Sequence, residues 1–187
     1  MASNPIYTKR ASETLRHVAG DVIELLKQAG ETVGVAESLT GGAVMEALTS
    51  VEGASAAFRG GVVAYATPLK ESLLDVDGHL IQRRGVVDGA VAEAMATGVR
   101  DLTATGEPTT WGVATTGVAG PAKQDGKDVG TVYIAVGSYQ ESRVWGPFCF
   151  PGDRHQIRQA TVMEALVRLR EMLLEQRERR GDQGEAS

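Results

Sequence analysis

Four short segments of this chain carry groups that can do chemistry. The first is Glu37-Ser38-Leu39-Thr40-Gly41-Gly42. Its glycines allow a ligand close to the backbone, and free N–H groups at the start of a following helix attract an anion. Ser38 beside them is a candidate nucleophile, with the nearby N–H groups of Thr40 to Gly42 as oxyanion donors. Simple capping of the helix by Ser38 and Thr40 is the structural alternative. The segment is not a P-loop, because the spacing and the lysine after the glycine are missing. The second segment is Tyr65-Ala66-Thr67-Pro68-Leu69-Lys70. A lysine in the first turn of a helix is opposed by the dipole, and partial desolvation would lower its pKa and let it act as a base. A Ser–Lys pair is one way to activate a serine. The alternatives are a solvated surface lysine and a tyrosine packed in a strand. The third is Thr115-Thr116-Gly117-Val118-Ala119-Gly120-Pro121, where a threonine can bond a ligand or only stabilise the turn. The fourth, Gly152-Asp153-Arg154, offers an arginine fork for phosphate, or a capping aspartate beside a solvated arginine. His17, His79 and His155 are scattered without metal-ligand spacing, so no metal site is expected.

The elements around these segments are legible. Leu15, Val18, Ala19, Val22, Leu25 and Leu26 recur at helical spacing, and Gly30 follows as a C-terminal cap. The stretch 32–36 reads as a buried strand that runs into Glu37-Ser38, with a helix from Ala43 to about Thr49. A second strand is predicted over 61–66, and Thr67-Pro68 starts a helix. Asp88 is the expected N-cap of a helix through Val99. Residues 111–115 form a third strand ending in the threonine-glycine turn. Residues 122–129 (AKQDGKDV) read as an exposed turn. Residues 130–137 and 143–150 read as an antiparallel pair, and a long helix follows Asp153. All three glycine-bearing turns follow strands, where open α/β sheets place ligands. The expected architecture is a single three-layer α/β/α domain with a mixed sheet. It occupies residues 12–176, between a flexible leader (1–11) and a disordered charged tail (177–187).

Composition removes several classes. The chain has 187 residues, of which 42% are hydrophobic, 23% charged and 5% aromatic, enough apolar content for a core and too much for intrinsic disorder. No apolar run approaches the roughly 18 residues of a membrane span, and the first ten residues lack the apolar stretch of a signal peptide. No membrane partner is expected, and a cytoplasmic location is. One cysteine, Cys149, leaves no disulfide framework. A formal charge of −5, from 19 basic and 24 acidic residues, gives no electrostatic case for nucleic acid.

Taken together, the segments resemble the CinA C-terminal domain family, the nicotinamide-nucleotide amidases (NMN deamidases, PncC type). The blocks that carry the resemblance are AESLTGG (36–42), GGVVAYATPLK (60–70), GVVDGAVAEAMA (85–96), TTGVAGP (115–121), VGTVYIAV (129–136) and GDRHQIRQ (152–159). The resemblance implies a single α/β/α domain that hydrolyses the carboxamide of nicotinamide mononucleotide to nicotinic acid mononucleotide and ammonia. It places the nucleophile on Ser38 and the essential lysine on Lys70. Tyr65 is the accompanying tyrosine, Thr116 the hydroxyl residue and Arg154 the arginine of the last block. Tyr65 and Thr116 would relay protons or hold Ser38 and Lys70 in line. Glu37, Thr40, Gly41, Gly42, Gly117, Gly120 and Arg154 are expected to bind the nucleotide. No cofactor is implied, the partner is the small-molecule substrate, and a homodimer is expected. A nucleotide-binding or protein-interaction module without catalysis is the competing reading.

The sequence departs from the family pattern after Pro121. The family usually continues with Asp-Gly-Gly and a proline before Val-Gly-Thr, whereas this chain reads AKQDGKDVGT. If that loop meets substrate, its altered chemistry shifts specificity or weakens activity.

Overall fold

The computed structural model describes residues 13–184, the side chains of the last three excepted. The expected leader, 1–11, lies outside the described residues. Five strands form one mixed sheet: β1 (Val33–Glu37), β2 (Phe58–Val63), β3 (Trp111–Gly117), β4 (Thr131–Gly137) and β5 (Ser142–Cys149). Their spatial order is β2-β1-β3-β4-β5, with β2, β1 and β3 parallel and β4 and β5 antiparallel to their neighbours.

Strand alternation divides the core in two. Val33, Val35, Trp111, Val113, Val132, Ile134 and Val136 point to one face and pack with Val18, Val22, Leu26, Ile157, Leu166 and Leu169. Those partners lie on helices α1 (Leu15–Ala29) and α6 (Arg154–Gly184), joined there by α2 (Ala43–Thr49). The intervening residues Ala36, Ala114 and Ala135 face the other layer, built by α3 (Thr67–Leu74) and α5 (Gly89–Leu102). A period of two along each strand thus sends large β-branched side chains to one side and small ones to the other. The small side admits α5 close to the sheet: a Cβ added at Gly112 would collide with the backbone carbonyl of Ala96.

The helix ends follow their cap chemistry. Thr14 accepts from the His17 N–H at the start of α1, and Gly30, at φ +67°, closes it. Asp88 caps α5 by accepting from the Ala90 N–H. Asp153 and Gln156 form a reciprocal capping box at the start of α6, each side chain accepting from the other's backbone N–H at 2.9 Å.

Three expectations need correction. The second strand covers Phe58–Val63 rather than 61–66, because the chain leaves the sheet at Ala64, whose carbonyl turns to Lys70 instead of a strand partner. A short helix, α4 (Gly78–Arg84), stands where no element was expected; it buries no residue and so shows no apolar stripe. Within the described residues the charged tail does not fray after Gln176; 185–187 of the expected tail lie outside them. Helix α6 continues to Gly184, with Arg180 bonding Glu31 at 2.6 Å and Arg179 pairing with Glu141. Among the described residues, no helix is long and apolar enough to cross a membrane.

Candidate functional site

The C-terminal ends of the three parallel strands converge. In the β1–β3 register Glu37 lies opposite Thr115, in the β1–β2 register it lies opposite Val63, and the Ser38 N–H donates to the Thr115 carbonyl at 3.1 Å. Ser38 therefore leaves the sheet between the two chain segments that carry Lys70 and Thr116. A cavity of about 190 Å³ opens there. Its polar lining is Ser38, Lys70, Thr116, Tyr65, Gln124 and Arg154; Leu39, Val86, Val87, Val118 and Ala119 supply the apolar part.

Lys70 is 1% exposed, and its Nζ donates to the Ala64 carbonyl at 2.6 Å and to Ser38 Oγ at 3.2 Å. No carboxylate lines the cavity among the described residues, and Lys70 has no ion-pair partner among them. Burial penalises the ammonium and pushes its pKa down to about 8. A neutral amine in this position keeps two N–H bonds, one for Ala64, and has its lone pair for the Ser38 proton. The spacing and the environment together suit a general base next to a hydroxyl.

The glycine turn after Ser38 is built on Glu37. That side chain is fully buried, and its two carboxylate oxygens accept from the N–H groups of Gly42, Val44 and Met45 at 2.8, 3.2 and 2.9 Å. The acid thus fills the N-terminus of α2 with an internal anion, where an external one was expected. Thr40 is buried against Thr115, their hydroxyls 2.8 Å apart. Glu37, Thr40, Gly41 and Gly42 stand behind Ser38 and none of them lines the cavity. The expected oxyanion donors at Gly41 and Gly42 are engaged, by the Ser38 carbonyl and by Glu37. Among the described residues the N–H groups without a protein acceptor in this turn are those of Leu39 and Thr40.

The opposite wall holds the remaining candidates. Thr116, 1% exposed, donates its hydroxyl to the Val86 carbonyl at 2.7 Å, and bonds neither Ser38 nor Lys70. Arg154 spans the rim, donating to the Gly120 carbonyl at 2.8 Å and to the Tyr65 hydroxyl at 2.7 Å. Tyr65 thus reaches Arg154 rather than the Ser38–Lys70 pair. Gly117 and Gly120 both line the cavity. A Cβ at Gly117 would meet the Thr131 carbonyl at 2.7 Å, so the backbone there tolerates no larger residue without a shift. Lys70 and Arg154 are the charged residues of the lining, and both are cations.

Two contributions escaped the sequence reading. Arg158 donates from Nε to the Leu39 carbonyl at 3.0 Å and from Nη2 to the Thr40 carbonyl at 2.7 Å, clamping the turn from α6. Its signal was present in GDRHQIR, where the two arginines stand four apart and share one helix face. The second is the valine wall of Val86, Val87 and Val118, a small buried cluster of its own. Nothing in its spacing distinguishes it from ordinary core.

The comparisons with known proteins bear on this geometry. The family model of the CinA C-terminal domain matches residues 15–173. A CinA-like protein of Frankia casuarinae is 47% identical over 154 residues, covering 82% of this chain and 34% of that protein. A putative competence-damage inducible protein of Oceanobacillus iheyensis is 38% identical over 143 residues, covering 76% of this chain and 33% of its own length. The chain therefore spans about a third of the length of these curated relatives. Among solved structures, a competence-damaged protein (CinA) superfamily protein from Klebsiella pneumoniae superposes with a TM-score of 0.81 at 27% identity, over 87% of this chain and 99% of that one. The competence/damage inducible protein CihA of Agrobacterium tumefaciens gives 0.77 at 30% identity, over 89% and 98%. On the extent of the family match and the identity of these relatives, the chain belongs to the CinA C-terminal domain family.

Proposed function

We propose that the cavity hydrolyses the carboxamide of nicotinamide mononucleotide, releasing nicotinic acid mononucleotide and ammonia. The observation that carries the reading is the buried Lys70 amine 3.2 Å from the Ser38 hydroxyl, with a pKa lowered to about 8. A solvated lysine would be almost wholly protonated at neutral pH, whereas this one has a usable neutral fraction. The substrate class rests on the resemblance of the six sequence blocks and on a lining that, among the described residues, combines two cations, no carboxylate and an apolar wall. That lining suits a flat ring carrying a neutral amide and, at the rim, an anionic phosphate near Arg154.

In the reaction, Ser38 Oγ attacks the amide carbon while its proton moves to Lys70 Nζ. The tetrahedral oxyanion is held by the N–H of Leu39, the free donor of this turn whose residue lines the cavity. The C–N bond then breaks, Lys70 returns the proton to the leaving nitrogen, and ammonia departs from a Ser38 ester. Water adds to the ester with Lys70 again accepting the proton, and the carboxylic acid leaves as Oγ is reprotonated. Thr116 supports the wall through Val86, and Arg154 with Tyr65 and Gly120 forms the rim that orients the nucleotide.

The test is incubation of purified protein with nicotinamide mononucleotide, following ammonia and nicotinic acid mononucleotide, beside calorimetry with the same ligand. Product formation supports the amidase. Heat of binding without product overturns it in favour of a non-catalytic nucleotide-binding module.

A further inference from the structure

The segment that departs from the family pattern is a built element. Gln124 and Lys127 exchange both backbone hydrogen bonds, at 3.2 and 2.8 Å, around Asp125 and Gly126. Both central residues have positive φ, +50° and +71°. This is the geometry of a two-residue hairpin turn of the primed type, for which Asp-Gly is a favoured pair. QDGK therefore specifies a tight turn, and the turn aims one side chain. Asp125 Oδ2 accepts from the Val86 N–H at 2.8 Å, across 39 residues of chain.

Val86 is consequently held at both of its backbone polar groups. Its N–H goes to Asp125 and its carbonyl receives the Thr116 hydroxyl at 2.7 Å. The residue before it explains how Asp125 comes so near. Gly85 has φ +75°, and a Cβ there would lie 2.7 Å from Asp125 Oδ2 and 2.8 Å from its Cβ. With Asp125 in this position, residue 85 has room for no side chain beyond glycine. Val86 and Val87, 6% and 1% exposed, form the cavity wall with Val118, and Gln124 of the same hairpin also lines the cavity.

We infer that Asp125 is a positioning residue that fixes the Val86–Val87 wall of the cavity, and that the 124–127 hairpin thereby sets how tightly this protein holds the flat ring of its carboxamide substrate. The effect on substrate rests on the amidase reading; the effect on Val86 does not. Removing the carboxylate loosens the wall without touching Ser38 or Lys70, so binding weakens and the chemical step is retained.

The experiment compares wild type, Asp125→Ala and Asp125→Asn by steady-state kinetics on nicotinamide mononucleotide and by amide hydrogen exchange at Val86 and Val113. For Asp125→Ala the expected result is a KM raised about three- to tenfold with kcat within about twofold. Exchange at Val86 is faster by about tenfold or more, while the central-strand amide of Val113 is unchanged. Asp125→Asn, which keeps an acceptor oxygen, restores most of both. Unchanged KM and unchanged Val86 exchange in Asp125→Ala would overturn the inference, as would equal acceleration at Val113, which signals global loosening. A wild type that does not turn over the nucleotide removes the amidase reading, and Val86 exchange still decides whether Asp125 pins the wall.

Discussion

Lys70 holds its amine 3.2 Å from the hydroxyl of Ser38, and the Ala64 carbonyl at 2.6 Å fixes the amine in that position. A buried pKa of about 8 makes this contact pH-dependent in a defined direction. Activity needs the neutral amine, so kcat/KM should rise about tenfold per pH unit well below 8 and level off above it. Stability follows the same group. Its folded pKa lies below the ordinary value of 10.5, so between about 8 and 10.5 the unfolded chain binds more protons. Unfolding free energy from this group therefore increases with pH across that window and is constant, at its least favourable, below it. A pH–rate profile and denaturant melts over the same range check both signs.

Replacing Lys70 separates its chemical role from its packing. Lys70→Met keeps the length and removes the buried cation but leaves the buried Ala64 carbonyl without its donor, so the two effects offset and the fold at pH 7 should lie within about 1–2 kcal/mol of wild type. Turnover should fall about 10²–10⁴-fold, the usual contribution of a general base. Lys70→Arg restores the charge and not the base, and should be equally inactive. Thermal melts beside an ammonia assay read the two effects separately.

Glu37 is predicted to matter through structure. Its buried carboxylate serves three backbone N–H groups at the start of α2, and Glu37→Ala strands all three. A loss of about 2–3 kcal/mol in unfolding free energy is expected, measured as a lower denaturant midpoint at unchanged slope. The turn that Glu37 holds follows Ser38 directly, so activity should drop as the turn loosens.

The two arginines of α6 should separate kinetically. Arg154 lies on the rim and touches Gly120 and Tyr65, so Arg154→Ala should raise KM for the nucleotide about tenfold with a smaller change in kcat. Arg158 grips the Leu39 and Thr40 carbonyls and so holds in place the turn that carries Ser38 and Leu39. Arg158→Met should therefore lower kcat by about tenfold or more and leave KM nearly unchanged. Steady-state constants on the two variants decide it.

The sequence announced the architecture well where period and cap chemistry agree. Val33 and Val35 against Ala36, the Asp88 cap and the Gly30 stop all speak locally, and the sheet, its layers and most helix starts follow from such signals. The approach of Ser38 to Lys70 was legible only as two turns after strands, because the distance between them is set by the parallel register of β2 and β1. Long-range partners were the hidden part. The Glu37 carboxylate looked like a ligand group and turned inward, since nothing in ESLTGG says which face of the strand end it takes. Tyr65 and Arg154 carry no mutual signal across 89 residues, yet they meet. Helix α4, with no buried face, left no periodic trace.

In the proposed reaction one hydroxyl and one amine act as a unit on a carboxamide. Its most direct test is initial-rate ammonia release from nicotinamide mononucleotide by wild type, Ser38→Ala and Lys70→Ala, with nucleotide binding to each measured by calorimetry. Wild type should turn the nucleotide over, and both variants should lose at least about 10³-fold while binding it within a few-fold of wild type. Ammonia release by either variant at the wild-type rate would contradict that joint action.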